Sequence, residues 1–493
     1  MKPNIVIITL DAVRAQNLPF YGYHRNTTPF LTSIADDLAI YENAVSSSYW
    51  TMPSIASLFT GMYTSDHGLL VDGDKLDNSF ATLPSVLKQY DYDCTAYVRN
   101  FYVSEFSGLD RGFDCFYTRH TTDDFLKKLG SLISMKTLNR LRPPGCDNVF
   151  DKEADKAGAF TAYLMNTFAR TYDLVMDRGG NDFVKHFRNR LGQGSKRPFF
   201  VYFHFLETHS PYRAPMRYAL RFLSLRDNIR KLSVNHDHLK FLLGKTHMSE
   251  DDFKILISSY DNSISYTDNL IGQIVAILKE HGLYDNTLII ILSDHGDNVG
   301  EHGLMFHYFC LYDTLIKIPL LIKFPTGAKI SGRFAEIVQN VDIFPTILSL
   351  NGITDRKIWD QVKGNDLFDK SPLKREKGFA VSELIKVFGP DRIHYKDKLN
   401  AYNRRLLSIR TKDRKFIFSS SGDHECYNLA SDPAEGRNLY PDKGFTDLFE
   451  KGSTYYKKMD TFYQANKDRI DGEIKDSEID AAVVERLKSL GYM

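Results

Sequence analysis

Paired cysteines are missing from this sequence. Its five cysteines, Cys94, Cys115, Cys146, Cys310 and Cys426, are odd in number, widely spaced and without a CxxC pair. That pattern speaks against a zinc ribbon or a disulfide framework and reads as reduced thiols. A charge excess is missing as well: 63 basic residues face 62 acidic ones, for a net charge of +1. Generic nucleic-acid binding leaves a strong basic excess, so no nucleic-acid partner is expected. No uninterrupted apolar run approaches the roughly 20 residues that cross a bilayer, so no transmembrane segment is expected. The apolar stretch near the N-terminus, Ile5 to Leu10, is short, β-branched and closed by Asp11. It lacks the longer apolar core and small-residue cleavage site of a secretory signal. The expected location is therefore cytoplasmic. Internal repeats and long low-complexity segments are also absent.

What is present is enough apolar residue for a substantial core. The chain has 493 residues, 43% hydrophobic and 25% charged, which fits one large α/β domain with an appendage. "NIVIITL" (Asn4 to Leu10), "FFVYFHFLE" (Phe199 to Glu207), "TLIIILSDHGD" (Thr287 to Asp297) and "IPLLIKFP" (Ile318 to Pro325) read as strands buried on both faces. Between them, "TPFLTSIADDLAIYENAV", "YDNSISYTDNLIGQIVAILKEHGL" and "VDIFPTILSLNGI" read as helices. Buried strands alternating with helices predict a mostly parallel central sheet flanked by helices, with ligands at the carboxyl ends of strands. From about Gly378 the pattern changes to short antiparallel strands and a terminal helix in "DAAVVERLKSLGYM". The expected division is a catalytic α/β domain over 1–377, with a helical insertion at about 120–195, and a smaller α+β subdomain over 378–493.

Chemistry gathers in a few places. "SYWTMPSIASLFTG" sets Ser48, Thr51, Ser54, Ser57 and Thr60 around Pro53 at a helix start. These hydroxyls are either helix caps or include a nucleophile held where anions bind. Asp11 ends the first strand, and "SDHGDNVGEHG" packs Asp294, His295, Asp297, Glu301 and His302 among three glycines. Carboxylates and imidazole in this arrangement suit a divalent cation, with Zn, Mn, Mg and Ca all open. "HFLETHSPY" delivers Glu207 and His209 into a loop, while His204, inside the apolar strand, reads as a core residue. His307 follows the acidic cluster and is either a site residue or packs on its aromatic neighbours. The basic, amphipathic segment Phe125 to Arg142 reads as a substrate-covering helix, with weak membrane-surface contact as the alternative.

These motifs resemble the sulfatase-like family of the alkaline phosphatase superfamily. The likeness is carried by "PNIVIITLDAVRAQNLPFYGY", "TTPFLTSIA", "WTMPSIASLFTGMYTSDHGL", "RGFDCF", "THSPY", "YDNSISYTDNLIG", "DNTLIIILSDHGDNVGEHGL", "VDIFPTILSLNGI", "ECYNLASDPAEGRNL" and "ERLKSLGYM", in the family's order. It implies an alkaline-phosphatase-like α/β domain followed by a smaller domain with a short antiparallel sheet. In sulfatases the segment matching Thr51 to Ile55 reads C-x-P-x-R or S-x-P-x-R, and its first residue is oxidised to formylglycine. Here Thr51 stands in that position and Ile55 replaces the arginine. Threonine bears a methyl on Cβ, so its oxidation cannot give an aldehyde. The sulfate-holding segment G-K-x-H is absent; "AYVRNFYVS" occupies that region and offers Arg99 and Asn100 as contacts to an anionic group. The aspartate pair of the first strand is reduced to Asp11 and Ala12.

The resemblance then implies a divalent metal held by Asp11, Thr51, Asp294 and His295. Thr51 is the expected nucleophile. His209 and His307 are expected to donate to the leaving group and the substrate oxyanion; with Glu207 they form a second metal site in the alternative reading. The expected substrate is a small-molecule, glycan or lipid-linked anionic ester, with phosphoester hydrolysis or phospho-group transfer favoured. Sulfate-ester hydrolysis without formylglycine is one alternative; a non-catalytic binder of anionic glycans or lipid head groups is another.

Overall fold

The computed structural model of the protein describes residues 2–71, 73–118, 179–194, 197–235, 237–368, 376, 378–387 and 402–472. Cys146, most of the expected insertion, the segment Phe125 to Arg142 and the expected terminal helix lie outside the described residues.

Eight strands form the central sheet, in the order β10-β2-β9-β6-β1-β5-β3-β4. Along the chain they are β1 (Asn4–Leu10), β2 (Ala39–Val45), β3 (Asp93–Val98), β4 (Cys115–Thr118), β5 (Phe199–Phe205) and β6 (Thr287–Ser293), then β9 (Leu320–Lys323) and β10 (Gly332–Gln339); a two-residue ribbon, β7 (Asn298–Val299) with β8 (Met305–Phe306), lies between β6 and β9. Only β9 runs against its neighbours, β2 and β6. The fold is the expected mixed α/β architecture.

The apolar run of β1 has a simple cause. Ile5 and Ile7 enter one apolar core and Val6 and Ile8 the other, so a strand with both faces covered needs hydrophobic residues at every position. The first core takes Met52, Ile55, Ala56 and Phe59 from the helix Thr51–Thr60. The second takes Tyr260, Ile264, Ile271 and Ile274 from the helix Glu250–Glu280. That long helix starts at Ser249, whose hydroxyl accepts the Asp252 N–H while the Asp252 carboxylate accepts the Ser249 N–H, a reciprocal cap.

One expected helix is corrected. "TPFLTSIADDLAIYENAV" gives a short helix, Pro29–Ser33, then a single turn, Ala35–Asp37, and then strand β2. The apolar spacing of the segment suits a helix. However, its second half carries the β-formers Ile40, Tyr41 and Val45, and Asn43 donates to the Ala335 carbonyl across the sheet at 2.9 Å. Pairing with β10 decides the conformation over local periodicity.

The small sheet is antiparallel, in the order β11 (Ala380–Leu384), β12 (Leu406–Arg410), β13 (Arg414–Ser419) and β14 (Glu425–Asn428), covered by the helix Thr446–Ala465. A buried charge cluster joins it to the loop after β8. Asp313 receives Arg410 at 2.9 Å and Lys415 at 2.5 Å. Lys415 also meets Glu435 at 2.6 Å, and Glu435 accepts the Asp313 N–H at 2.5 Å. Burial pushes the Asp313 carboxyl up, but Arg410 and Lys415 outweigh it and hold it well below the ordinary range. Glu435, also buried, is pushed up to about 7. Both cations favour Asp313, so it keeps the charge.

Removing one member of such a cluster leaves its partners buried and uncompensated, which costs about 3–5 kcal/mol. Asp313→Ala should therefore lower the urea-unfolding free energy by that amount. Arg414→Ala, which breaks the exposed pair with Asp447, should cost under about 1 kcal/mol. Equal, small losses in the two variants would show that the Asp313 cluster does not hold the small sheet in place.

Candidate active site

Strand register builds the site. Leu10 pairs with Phe205 on one side and Ser293 on the other. The residues that follow, Asp11 and Asp294, therefore leave the sheet side by side at its carboxyl edge. Backbone bonds lock them. Asp11 N–H donates to the Phe205 carbonyl at 3.0 Å, and Ala12 N–H donates to Asp294 Oδ1 at 3.1 Å. Ala12 adopts φ +62°, which an alanine tolerates only when its surroundings insist. The Tyr260 hydroxyl holds it there by donating to the Ala12 carbonyl at 2.6 Å while accepting the Arg14 N–H at 2.9 Å. The second aspartate of the family pattern is thus replaced by a residue whose backbone orients Asp294.

The hydroxyls around Pro53 do not cap the helix. Its cap is Trp50, with no side-chain capping bond. Ser54 donates to the Asp294 carbonyl at 2.7 Å, and Ser46 does so at 2.5 Å. Ser57 meets His67 at 3.1 Å, Thr60 bonds back to Ala56, and Ser48 reaches the Glu383 carbonyl. Thr51, the first helical residue, instead places Oγ1 3.3 Å from His295 Nε2 and 3.4 Å from Asn100 Nδ2. Helix Thr51–Thr60 directs its positive end at this hydroxyl.

The buried groups beside Thr51 fit a divalent cation. Ligand atoms of Asp11, His204 and Asp294 all lie within 4.8 Å of one another. His204 Nε2 is 3.8 Å from Asp11 Oδ2 and 3.7 Å from Asp294 Oδ2, and His295 Nε2 is 3.8 Å from Asp11 Oδ1 and 3.6 Å from Asp294 Oδ2. Among the described residues, Asp294 Oδ2 and both ring nitrogens of His204 have no hydrogen-bond partner, although they are buried. Such groups need a compensating charge or ligand. His295 Nδ1 sits 2.8 Å from the Gly296 carbonyl. Donation there leaves the Nε2 lone pair facing Asp11, Asp294 and Thr51, the form a metal takes.

Other expected site residues divide. Asn100 reaches in, donating to Asp11 Oδ2 at 2.9 Å. His209 and His307 face each other with ring centroids 5.3 Å apart, and His307 lies 4.3 Å from the His295 ring. His209 Nδ1 is 2.7 Å from the Ser210 carbonyl, and donation there turns Nε2 outward from that bond. Burial and the neighbouring His295 push His307 well below its ordinary value, so it is a neutral imidazole. Asp297 Oδ1 stands 3.5 Å from His307 Nδ1, and burial raises Asp297 to about 7.

Arg99 is half-buried against Gly179, where a Cβ would come within 3.2 Å of its guanidinium. Glu207, expected in a loop and in the alternative second metal site, is 1% exposed and accepts the Gly180 N–H at 3.0 Å. Its strand ends too deep in the fold to reach water, and its carboxylate serves the start of the helix Gly180–Gly192. Glu301 pairs with the buried Arg14 at 2.7 Å, and His302 stacks on Tyr312 at 3.8 Å; both are structural.

His204, read as a satisfied core residue, is buried as expected but not satisfied, and it groups with Asp11 and Asp294. Its strand is apolar throughout, and that context hid it. The available signal was register: it pairs with Thr9, two residues before Asp11, on a strand that ends at the same sheet edge.

Comparison with known proteins identifies the family. A family model described as Sulfatase matches residues 3–353, and one described as N-sulphoglucosamine sulphohydrolase, C-terminal, matches residues 300–461. The chain is similar to an arylsulfatase of Clostridium perfringens, with 26% identity covering 89% of this chain and 90% of the relative. It is similar to an N-acetylglucosamine-6-O-sulfatase of Bacteroides thetaiotaomicron, with 23% identity covering 93% and 88%. In structure it resembles a phosphonate monoester hydrolase of Agrobacterium radiobacter, with a TM-score of 0.67, 20% identity and coverage of 94% and 96%. The chain thus belongs to the sulfatase family of the alkaline phosphatase-like superfamily and is a hydrolase of sulfuric or phosphoric esters.

Proposed function

We propose that the protein is a metal-dependent phosphoester or phosphodiester hydrolase that uses Thr51 as its nucleophile. The observation that carries this reading is the position of Thr51 Oγ1: first in its helix, 3.3 Å from His295 Nε2, beside the buried Asp11–His204–Asp294 group. An unoxidised hydroxyl suits attack on phosphorus, whereas formylglycine chemistry needs an aldehyde that threonine cannot form. Asp11, Asp294, His295 and Thr51 would hold a divalent ion, which when bound lowers the pKa of a hydroxyl and offsets anionic oxygens.

The chain's own groups account for the rest. Asn100 Nδ2 orients both Asp11 and Thr51. Attack by Oγ1 forms the Oγ1–P bond and breaks the bond to the leaving oxygen. The Thr51 hydroxyl releases its proton to solvent, and the leaving oxygen takes one from His209; His209 regains it from the water or alcohol that releases phospho-Thr51, so the cycle is balanced. His307, a neutral imidazole, contributes an N–H to a substrate oxygen. Water, or an acceptor alcohol, then releases phospho-Thr51. The substrate is an anionic ester on a small molecule, glycan or lipid-linked group. Among the described residues no helix is long and apolar enough to cross a membrane. Sulfate-ester hydrolysis by the same unmodified Thr51 is the second reading, favoured by the names of the sequence relatives.

Thr51→Ala and Thr51→Ser separate the roles of the hydroxyl. Turnover of an aryl phosphodiester, an aryl phosphate and an aryl sulfate should fall by about three or more orders of magnitude in Thr51→Ala and stay measurable in Thr51→Ser. Both variants should melt near wild type, because the Thr51 hydroxyl makes no capping bond. Wild-type turnover in Thr51→Ala would exclude the nucleophile assignment, and turnover of the sulfate alone would select the second reading. Peptide mass analysis should find residue 51 as threonine or phosphothreonine; an oxidised residue there would overturn the phosphate argument.

Elemental analysis supplies a separate check. Asp294→Asn keeps the size of the side chain but removes a charge from the buried group, so the purified variant should retain far less divalent metal than wild type. Equal metal content would place the ion elsewhere.

A further inference from the structure

His204 is unusual in its setting. It is fully buried in β5, and neither ring nitrogen has a hydrogen-bond partner among the described residues. An ordinary core histidine satisfies at least one nitrogen. This ring instead points Nε2 at two carboxylates, Asp11 at 3.8 Å and Asp294 at 3.7 Å. Those gaps are too long for hydrogen bonds. They match the spacing of atoms that share one ion: ligands about 2.0–2.2 Å from a metal, at angles of roughly 90–120°, sit about 2.8–3.8 Å apart.

We propose that His204 is itself a ligand of the divalent ion and replaces the carboxylate that Ala12 no longer supplies. This rests on the metal-dependent reading above. With His295 it makes two of the ligands imidazoles, alongside Asp11 and Asp294. Imidazole suits Zn, Cu, Fe, Ni and similar later first-row ions, Co among them, whereas calcium takes oxygen ligands almost exclusively. The site therefore favours a first-row transition ion over calcium, and His204 contributes to that preference. The substitution is one of place as well as type: position 12 has given its backbone to orienting Asp294, and the neighbouring strand, in register with β1, presents the replacement.

A protonated His204 acting only as counter-ion to the two carboxylates gives the opposite sign. Removing it would then leave Asp11 and Asp294 more available and tighten metal binding. The test uses full-length protein stripped by a chelator and titrated with Co²⁺ and, separately, Ca²⁺. Binding is followed by calorimetry and by the cobalt visible spectrum, and folding of each metal-free variant is checked by thermal melting. His204→Gln should weaken Co²⁺ binding at least tenfold, change the cobalt spectrum as a nitrogen ligand is lost, and melt near the wild-type apoprotein. His204→Asp should still bind, with a smaller Co²⁺-to-Ca²⁺ affinity ratio than wild type. Unchanged or tighter Co²⁺ binding by His204→Gln, while Asp294→Asn loses it, overturns the assignment and leaves the metal-dependent reading standing. Wild-type Co²⁺ binding by both variants overturns both.

Discussion

Two carboxylates buried side by side are the constraint on which this molecule turns. Asp11 and Asp294 leave adjacent parallel strands at the same level because Leu10 pairs with Ser293. Isolated, their mutual repulsion and loss of water would be prohibitive. The neighbourhood is arranged to meet that cost. Asn100, the Ala12 N–H and the rings of His204 and His295 all converge on them. The two serines that bond the Asp294 carbonyl, Ser46 and Ser54, also tie the helix bearing Thr51 to the same residue. Charge burial and the position of Thr51 are therefore one structural problem with one solution.

The small antiparallel sheet joins this arrangement twice: β11 bonds the stretch before Thr51, with Ser382 donating to the Ser46 carbonyl at 2.6 Å and the Glu383 N–H to the Ser47 carbonyl at 2.9 Å, and the loop after β8 meets the other strands. His307 and Asp313 lie on the same short stretch after β8, His307 against His295 and Asp313 against Arg410 and Lys415. Tyr312 also donates to Glu425 of β14 at 2.9 Å. The His307 edge of the site is thus held by the C-terminal sheet, while Asp11, Asp294, His204 and His295 are held by the central one.

Much of this was legible in the sequence where the pattern and the chemistry coincide. Apolar runs ending in Asp11 and Asp294 announced both the buried strands and the edge where they finish. The hydroxyl-rich stretch around Pro53 announced a helix start but left Thr51 balanced between cap and nucleophile; only the bonds of Ser46 and Ser54 to a distant carbonyl show what the other hydroxyls do. Residues 39–45 were misread because helical spacing is a local property and pairing with β10 is not. His204 was read as a core residue and is buried as read; its own strand does not show that register with β1 sets it beside Asp11 and Asp294. Glu207 shows the converse: expected in a loop, it is buried at the start of a helix 27 residues earlier in the chain.

Ala12 and Thr51 are best understood together. The family pattern has a second carboxylate at one position and an oxidisable Cys or Ser at the other, and this chain departs at both. A carboxylate lost without replacement would leave a cation less well held, and a hydroxyl in place of an aldehyde hydrate would then be a poorer nucleophile. An imidazole from β5 changes that balance. It restores a donor to the site without restoring negative charge, so a bound cation keeps more of its net positive charge. A more positive centre lowers the pKa of a neighbouring hydroxyl further. Under the proposed function, the loss at position 12 and the threonine at position 51 are thus compatible parts of one site: less anionic ligand charge would support a hydroxyl that has to be ionised rather than oxidised.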